Sequence, residues 1–490
     1  MKVVVPYERG TKAMHILRKL SSKIEVIFVI AGAAILISLL FMKPFVGVAD
    51  NGDFLRIMGT MGLNYGVLDE PYEDRFFSFS HIHFSYDSFF RGFYMSSHIL
   101  LVGLARFVGM IFNGSMFDIR VLGTMFGVLL LTAGYTIIAG SKSRSRLTSI
   151  VLAALLLFVF FDIGYTAYFN SLFGEPVSLI FLLLTAGLGL LLARIEHPSK
   201  TLLVLFFISI LFLVGSKTQN APIGVGFALL GLRYAMLRSD NGWRKLAYIL
   251  SAVTLLGSIA MYVAAPKDFK NINLYQTVFF GILKDSPDVE GDLKKLGLPQ
   301  HLSVLANTNY FQGGTAIKQD APSMTADFYD RISHMSVLKF YLTHPGRLIS
   351  KMEYAAENGM MIRPYYLGSF EKSEGKQPGA ISFKYSAWSE FKKQNVPNKL
   401  WFVLTVFAVY FIIAVIEWLK RIDMRHRVAC ELFILIGLTG LFSFLIPILG
   451  DGQADLGKHL FMFNVIFDAV LIAIVTWIVY QISSVVMRRS

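Results

Sequence analysis

Cysteine and charged residues are both scarce in this chain. Cys430 is the single cysteine among 490 residues. One cysteine excludes an intrachain disulfide and any metal site built from several thiolates. Charged residues make up 16% of the chain, against about 25% in an average soluble protein. This scarcity of charge argues against a soluble globular protein before any segment is inspected.

Apolar and aromatic residues are abundant instead. The chain is 54% hydrophobic, with 43 Phe and 21 Tyr, and its mean hydropathy is +0.56. This composition indicates a membrane protein. The net charge of +13 would suit nucleic-acid binding in a soluble chain. In a membrane protein the positions of Lys and Arg are more informative, because they predict which side each loop faces.

The apolar runs predict an all-α polytopic membrane protein with about ten transmembrane helices. A helix needs about 20 mostly apolar residues to cross a bilayer. The runs that qualify are 25–43, 120–140, 147–166, 176–194, 201–215, 222–238, 246–265, 400–419, 428–449 and 460–484.

One further run, 95–113, is long enough to span the membrane but contains His98 and Arg106. If it lies flat as an outer juxtamembrane helix, every basic loop cluster, such as "SKSRSR" at 141–146, falls on the cytoplasmic side. We therefore predict that both termini are cytoplasmic. The basic segment before the first span shows no cleavable signal and reads as a cytoplasmic tail followed by a signal-anchor helix.

This topology divides the chain into four parts. We expect a cytoplasmic tail at 1–24 and a transmembrane core at 25–265 that includes a long outer loop at 44–119. An outer domain, small and mostly helical, is expected at 266–399, because the segment is too long and too patterned for a linker. The remaining transmembrane helices are expected at 400–490.

The outer loop begins with "ADNGDF", in which Asp50 and Asp53 flank an Asn-Gly pair. Asn-Gly favours a tight turn. A carboxylate in a half-buried site beside the membrane has a raised pKa unless a cation compensates, which suits a general base. The alternative is structural, since either acid could cap the helix that starts at "FLRIM".

Three more outer turns carry polar residues. They are "YFNSLFGE" (168–175), "SKTQNAP" (216–222) and "GDGQADLGKH" (450–459). Each has a plain alternative: Glu175 as a first-turn acid that complements a helix dipole, Lys217 as a snorkelling lysine, and 450–459 as a polar hairpin. Their occurrence together on one face favours a site for a lipid phosphate, held by Lys and His, and for an acceptor hydroxyl, deprotonated by a carboxylate.

The same strings carry a resemblance to a known family. "ADNGDF" after the first helix, a juxtamembrane helix in the same loop, and "YFNSLFGE" after the third helix resemble GT-C glycosyltransferases, which use polyprenyl-phosphate-linked sugars. "SKTQNAP" is similar to the Lys-bearing turn of aminoarabinose-transferase-like members. "DNGDF", "YFNSLFGE" and "KHLFMFN" resemble more particularly the WsfD-like hexose transferases of cell-surface glycans. The resemblance implies a GT-C fold, over residues 25–265 mainly.

The resemblance and the chemistry together assign expected roles. The catalytic residues are Asp50 as general base, Asp53 as its alternative or partner, and Glu175. The donor-phosphate-binding residues are Lys217, Lys458 and His459, and the acceptor-orienting residues are Asn170, Gln219, Asp451 and Asp455. Some family members use a divalent metal, so Asp50, Asp53 and Glu175 are the expected ligands if Mg²⁺ or Mn²⁺ takes part; no cofactor is certain.

These roles predict an inverting hexosyltransferase in a bacterial cell membrane, with its active site outside the cytoplasm. Its partners would be a polyprenyl-phosphate sugar, a surface polymer such as teichoic acid or another wall glycan, and the enzyme that makes the lipid-linked sugar. The alternatives are a flippase or exporter of lipid-linked glycan, a ligase for lipid-linked oligosaccharide, and a non-enzymatic scaffold. No GxGxxG or Walker pattern indicates a nucleotide site.

Overall fold

The computed structural model describes residues 23–141, 145–264 and 266–489. The predicted tail at 1–24 therefore lies, up to residue 22, outside the described residues. Most of the described chain is helical. The helices, in chain order, are α1 Ile24–Leu40, α2 Phe54–Met61, α3 His98–Phe112, α4 Arg120–Gly140, α5 Arg146–Phe160, α6 Ile163–Thr166, α7 Glu175–Arg194, α8 Lys200–Val214, α9 Ile223–Ala235, α10 Asn241–Val263, α11 Lys267–Thr277, α12 Val289–Leu296, α13 Pro322–Met324, α14 His334–Thr343, α15 Pro345–Asn358, α16 Ala387–Asn395, α17 Leu400–Lys420, α18 Met424–Asp451, α19 Leu456–His459 and α20 Phe461–Arg489.

The prediction of several apolar membrane helices is confirmed, but the number of ten is not. Among the described residues, six helices are long and apolar enough to cross a membrane, namely α4, α7, α10, α17, α18 and α20. The runs predicted at 25–43, 201–215 and 222–238 form the shorter helices α1, α8 and α9. At about 1.5 Å per residue, the 13 residues of α9 reach less far than a bilayer core.

The span predicted at 147–166 is bent rather than continuous. Its two parts, Arg146–Phe160 and Ile163–Asn170, meet at an angle of 53°, and together they would make a seventh span. The break lies at Asp162, whose side chain accepts a hydrogen bond from the Gly164 amide at 2.7 Å and caps α6. A side chain that bonds the backbone in this way competes with a continuous helix.

The outer loop at 44–119 contains a small antiparallel sheet, so the all-α prediction is wrong in this detail. Its strands are β1 Leu63–Tyr65, β2 His83–Tyr86 and β3 Met116–Asp118, in the order β1-β2-β3. Leu63 pairs with Tyr86, and Ser85 pairs with Met116. The strands are too short and too widely separated in sequence to produce a visible alternation of polar and apolar residues. The sheet fixes the position of Tyr65, which matters for the site.

Two hydrophobic cores are present in the described residues. The larger joins the membrane helices to the residues around Ala355 and Met360. The smaller lies wholly within 274–341 and is built around Tyr275, Phe279 and Phe328. We call residues 274–341 the outer unit. The rest of the predicted 266–399 domain packs on the membrane bundle, because its buried side chains belong to the larger core.

Helix direction brings several chain segments to one end of the bundle. Helix α7 begins where α8, α10 and α18 end, since successive helices run in opposite directions. The backbone of the outer unit touches this end: the Gln453 amide donates to the Phe280 carbonyl at 3.2 Å. The polar turns that the sequence singled out are therefore neighbours in space.

Candidate active site

A cavity of about 1300 Å³ opens at this end of the bundle. Its floor comes from the turn after α1, the start of α7, the turn after α8, and the segment from the end of α18 through α19. Its upper wall comes from Tyr262 and Val263, from residues 269–273 and from the outer unit. The charged residues that line it are Asp53, Arg56, Glu175, Lys217, Lys270, Asp451, Asp455, Lys458 and His459.

Asp50 does not line the cavity. Its carboxylate is fully buried, and Oδ1 accepts hydrogen bonds from the amides of Gly52 at 2.8 Å and Phe54 at 3.1 Å. Oδ2 accepts a very short hydrogen bond from the Tyr65 hydroxyl. Burial raises the pKa of Asp50, against the opposing effect of these bonds. Asp50 therefore bonds one amide of α2, that of Phe54, and one amide of the turn before the helix, that of Gly52. This is the structural role that the capping alternative describes, although the residue at the N-cap position is Asp53.

Asp53 faces the cavity and lies between two cations. Lys458 pairs closely with Oδ2, and Arg56 reaches Oδ1 at 3.2 Å. Burial alone would raise the pKa of Asp53, but Lys458 and Arg56 together hold it well below its usual range. Burial would likewise lower the pKa of Lys458, yet Asp53 and Glu175 raise it. Both side chains are therefore charged across the physiological pH range.

Glu175 begins α7, where the helix dipole favours an acid. Lys217 donates to its Oε1 at 2.5 Å. Its other oxygen, Oε2, is buried and has no hydrogen-bond partner among the described residues. An unpaired buried acceptor is costly. Glu175 therefore combines a dipole role with a buried oxygen that has no partner in the described residues.

Asp451 and His459 form a second pair in which one carboxylate oxygen contacts a basic side chain and the other is buried without a partner in the described residues. His459 Nε2 lies 2.7 Å from Asp451 Oδ2, while Asp451 Oδ1 is buried without a partner in the described part of the chain. Burial would lower the pKa of His459, but the Asp451 carboxylate raises it overall. Asp455 adopts a left-handed backbone with φ of 42° and also lines the cavity.

The two predicted amides differ in their placement. Gln219 lines the cavity, and its Nε2 donates to the His459 carbonyl at 3.5 Å. Asn170 is buried away from the cavity, where its Nδ2 donates to the carbonyls of Leu40 at 3.1 Å and Val46 at 3.0 Å. The structure does not bring the Asn170 side chain to the cavity, because it bonds the backbone at the end of α1 instead.

The residues proposed for a divalent metal do not assemble into a ligand set. Within the described ranges, no group of three His, Cys, Asp or Glu side chains lies close enough to hold a metal ion. Asp53 and Glu175 are neutralised by lysines, and Asp50 accepts hydrogen bonds on both oxygens. A divalent ion prefers carboxylate oxygens that are free to coordinate it. These three acids do not fit such a site.

Sequence reasoning missed several residues of the cavity. Arg56 follows Asp53 by one helical turn, so the (i, i+3) spacing could have revealed it. Its guanidinium lies 4.1 Å from the centre of the Phe269 ring. Tyr94 also lines the cavity, and burial raises its pKa to about 12. Gln276 has a buried Oε1 without a partner in the described residues. No local signal marks Tyr94 or Gln276, because only the tertiary fold brings them to the site.

Fold and site together define a multi-pass membrane protein with a charged cavity at one end of its helix bundle. Comparison with known families identifies its family. The chain belongs to the family described as the YfdI N-terminal transmembrane domain, whose model matches residues 11–490. No curated protein matches the chain, and no solved structure matches it. The family confirms the transmembrane character predicted from composition, while the WsfD-like resemblance stays a prediction.

Proposed function

We propose that this protein is a membrane glycosyltransferase that moves a hexose from a polyprenyl-phosphate donor to a surface glycan on the outer face of the membrane. Membership of the YfdI family is consistent with such an enzyme. The observation that carries the proposal is the pairing of buried lysines with acids inside one cavity at the end of the membrane helices. A lipid phosphate would reach this depth, since phosphate groups lie at the membrane surface.

The charge balance of the cavity supports a donor with one negative charge. The described residues that line it include four acids, Asp53, Glu175, Asp451 and Asp455, and four Lys or Arg, Arg56, Lys217, Lys270 and Lys458. Protonated His459 adds one positive charge. A sugar linked through a single phosphodiester carries one negative charge and would neutralise the site.

The proposed reaction needs one base and one stabilised leaving group. A carboxylate removes the proton from an acceptor hydroxyl, and the hydroxyl oxygen bonds to the anomeric carbon of the sugar with inversion. The bond between that carbon and the phosphate oxygen breaks, and its electron pair stays on the phosphate. Lys217, Lys458 and His459 would stabilise the polyprenyl phosphate that leaves.

In this proposal the general base is Asp53, the alternative to Asp50 that the sequence analysis named. Asp53 lines the cavity, whereas Asp50 is enclosed by the Tyr65 hydroxyl and the amides of Gly52 and Phe54. A general base needs to come within hydrogen-bond reach of the proton that it removes. Asp50 would then act as a positioning residue, because its hydrogen bonds fix the turn that carries Asp53.

The upper wall of the cavity suits a carbohydrate acceptor. Amide side chains line it at Asn273, Gln276, Asn309 and Gln312, and the exposed Phe311 ring lies beside them. Amides donate and accept hydrogen bonds, as sugar hydroxyls require, and an aromatic face suits the apolar face of a sugar ring. A surface glycan is therefore the acceptor that this wall favours.

The test is twofold. Surface polymers from a strain that lacks the gene are compared with those of the parent by mass analysis, and a missing hexose is the expected result. The purified protein in liposomes is then supplied with a polyprenyl-phosphate hexose and the glycan from the deletion strain. Transfer of the hexose supports the proposal. Transport of lipid-linked sugar across the liposome membrane without an acceptor would support the flippase alternative instead.

A further inference from the structure

Lys458 is occupied before any ligand arrives. Its ammonium pairs with Asp53 Oδ2, lies 3.4 Å from Asn51 Oδ1, and its side chain is 3% exposed. The Phe173 ring lies beneath it, with the ring centre 4.3 Å from Nζ. These contacts hold the ammonium beside Asp53, so an anion that binds it has to approach from the cavity and compete with Asp53.

A second cation, Arg56, also pairs with the Asp53 carboxylate. Arg56 contacts Oδ1 at 3.2 Å and rests against Phe269. If Lys458 turns to another anion, Arg56 keeps the Asp53 carboxylate in place while Oδ2 loses its partner. The two oxygens of one carboxylate are thus divided between a cation that faces the ligand region and a cation on the same helix.

We propose that the phosphate of the donor takes Lys458 from Asp53, so that the carboxylate becomes available as a base only when the donor is bound. The inference rests on the proposed function in taking a lipid phosphodiester as the ligand. Exchange of one anion for another at a buried cation keeps the ammonium paired throughout, which avoids leaving a buried charge unpaired. Lys217 and Glu175 form a second ion pair in the lining of the same cavity, and Glu175 Oε2 has no partner in the described residues.

The consequence is an ordered site. Without donor, Asp53 is held by two cations and has little tendency to accept a proton. With donor, Lys458 pairs with the phosphate instead, and the carboxylate gains proton affinity. An acceptor hydroxyl, or water, would therefore be deprotonated only when a sugar is in position to receive it.

The test follows the reactivity of Asp53 with a hydrophobic carbodiimide, which modifies carboxyl groups in their protonated form and so reports the gain in proton affinity. The full-length protein in detergent is treated with and without farnesyl methyl phosphate, a lipid phosphodiester that carries no transferable sugar. Peptide mass spectrometry measures modification at Asp53 and, as an internal control, at Asp468, which pairs with Lys392 outside the cavity. Modification of Asp53 is expected to rise roughly tenfold with the phosphodiester, while Asp468 stays unchanged.

Two variants complete the design. Lys458→Met should make Asp53 reactive without any phosphodiester and weaken phosphodiester binding roughly tenfold. Lys399→Met, at an exposed ion pair with Glu357, should behave as the wild type. Binding of the phosphodiester with Asp53 still unreactive, or protected further, would overturn this inference and leave the proposed function standing. Failure of the wild type to bind the phosphodiester would overturn both.

Discussion

Lys392 and Lys458 are both buried lysines that pair with an aspartate, yet their surroundings differ. Lys392 is fully buried and donates to Asp468 Oδ1 at 2.6 Å and to Asn464 Oδ1 at 2.7 Å. Asp468 Oδ2 in turn accepts from the Tyr165 hydroxyl and the Trp388 indole, each at 2.7 Å. The cluster joins α16, α20 and α6, and both oxygens of its carboxylate are bonded.

The cavity around Lys458 is built from the same residue types but is left incomplete. Glu175 Oε2, Asp451 Oδ1 and Gln276 Oε1 are buried without partners in the described residues, and all three side chains line the cavity. Buried polar groups are bonded in the great majority of cases, so the exceptions call for an explanation. The comparison shows one cluster whose polar atoms are all bonded within the fold and a cavity lining that keeps buried polar atoms without partners in the described residues.

The largest effect is expected from a substitution that breaks the cluster around Lys392 and Asp468. Lys392→Met would leave Asp468 buried without its cation, a change that costs about 3–5 kcal/mol in comparable buried pairs. We expect a large loss of folded protein in detergent and a markedly lower midpoint of thermal unfolding, measured by a fluorescence melting assay. A variant with Lys399→Met, at an exposed pair, should melt like the wild type. Equal melting of both variants would contradict the structural role given to Lys392.

A smaller effect is expected at the acceptor wall. Gln276→Leu removes the amide whose Oε1 has no partner in the described residues. It roughly keeps the volume of the side chain, so folding should persist. Loss of a hydrogen bond to a substrate costs about 1–1.5 kcal/mol, so the KM for the glycan acceptor should rise roughly tenfold, with kcat little changed. Gln300→Leu is the matched control, because Gln300 lies outside the cavity lining and donates to the Glu290 carbonyl. A rise in the donor KM instead would assign Gln276 to the donor.

The smallest expected effect concerns pH. The Asp451 carboxylate raises the pKa of His459, against the effect of burial, so the imidazolium persists above pH 6.5 and is lost as the pH rises through the raised value. Affinity for farnesyl methyl phosphate, which stays monoanionic, should fall over that range, by roughly fivefold for a partly exposed charge. His459→Gln should abolish this pH dependence. His301→Gln, at an exposed ion pair away from the cavity, should preserve it.

The stability contribution of this pair has the same sign. A group whose pKa is raised by folding stabilises the native state fully below its unfolded value, near pH 6.5, and loses that contribution above the raised value. Thermal unfolding of the wild type should therefore occur at a slightly lower temperature on the alkaline side. An opposite trend that disappears in His459→Gln would contradict the ion pair with Asp451.

Several features of the fold were predictable from local sequence. Long apolar runs fixed helices such as α4 and α17 almost to the residue, because a membrane helix depends mainly on continuous hydrophobicity. The bend at Asp162 and the sheet β1–β3 were missed. The first depends on one side chain that bonds a neighbouring amide, and the second pairs segments far apart in the chain.

The site was predictable in composition but not in detail. Four polar turns on one face indicated that Asp53, Glu175, Lys217, Lys458 and His459 would lie near one another, and they line one cavity. The sequence did not reveal which of Asp50 and Asp53 faces the cavity and which is enclosed, because both acids suit the same turn. Only Tyr65, supplied by the unforeseen sheet, reveals that Asp50 is enclosed. The cavity wall around Gln276 could not be predicted from the sequence, since the amide side chains that form it are scattered over the outer unit and α11.

The most direct test of the account compares Asp50→Asn with Asp53→Asn in transfer from a polyprenyl-phosphate hexose to the surface glycan, at equal amounts of folded protein. If Asp53 is the base, Asp53→Asn should reduce kcat by about 10²–10⁴-fold with little change in thermal stability. Asp50→Asn should lower the melting temperature and keep most of the activity. The opposite ranking, with Asp50→Asn inactive and Asp53→Asn active, would contradict the account.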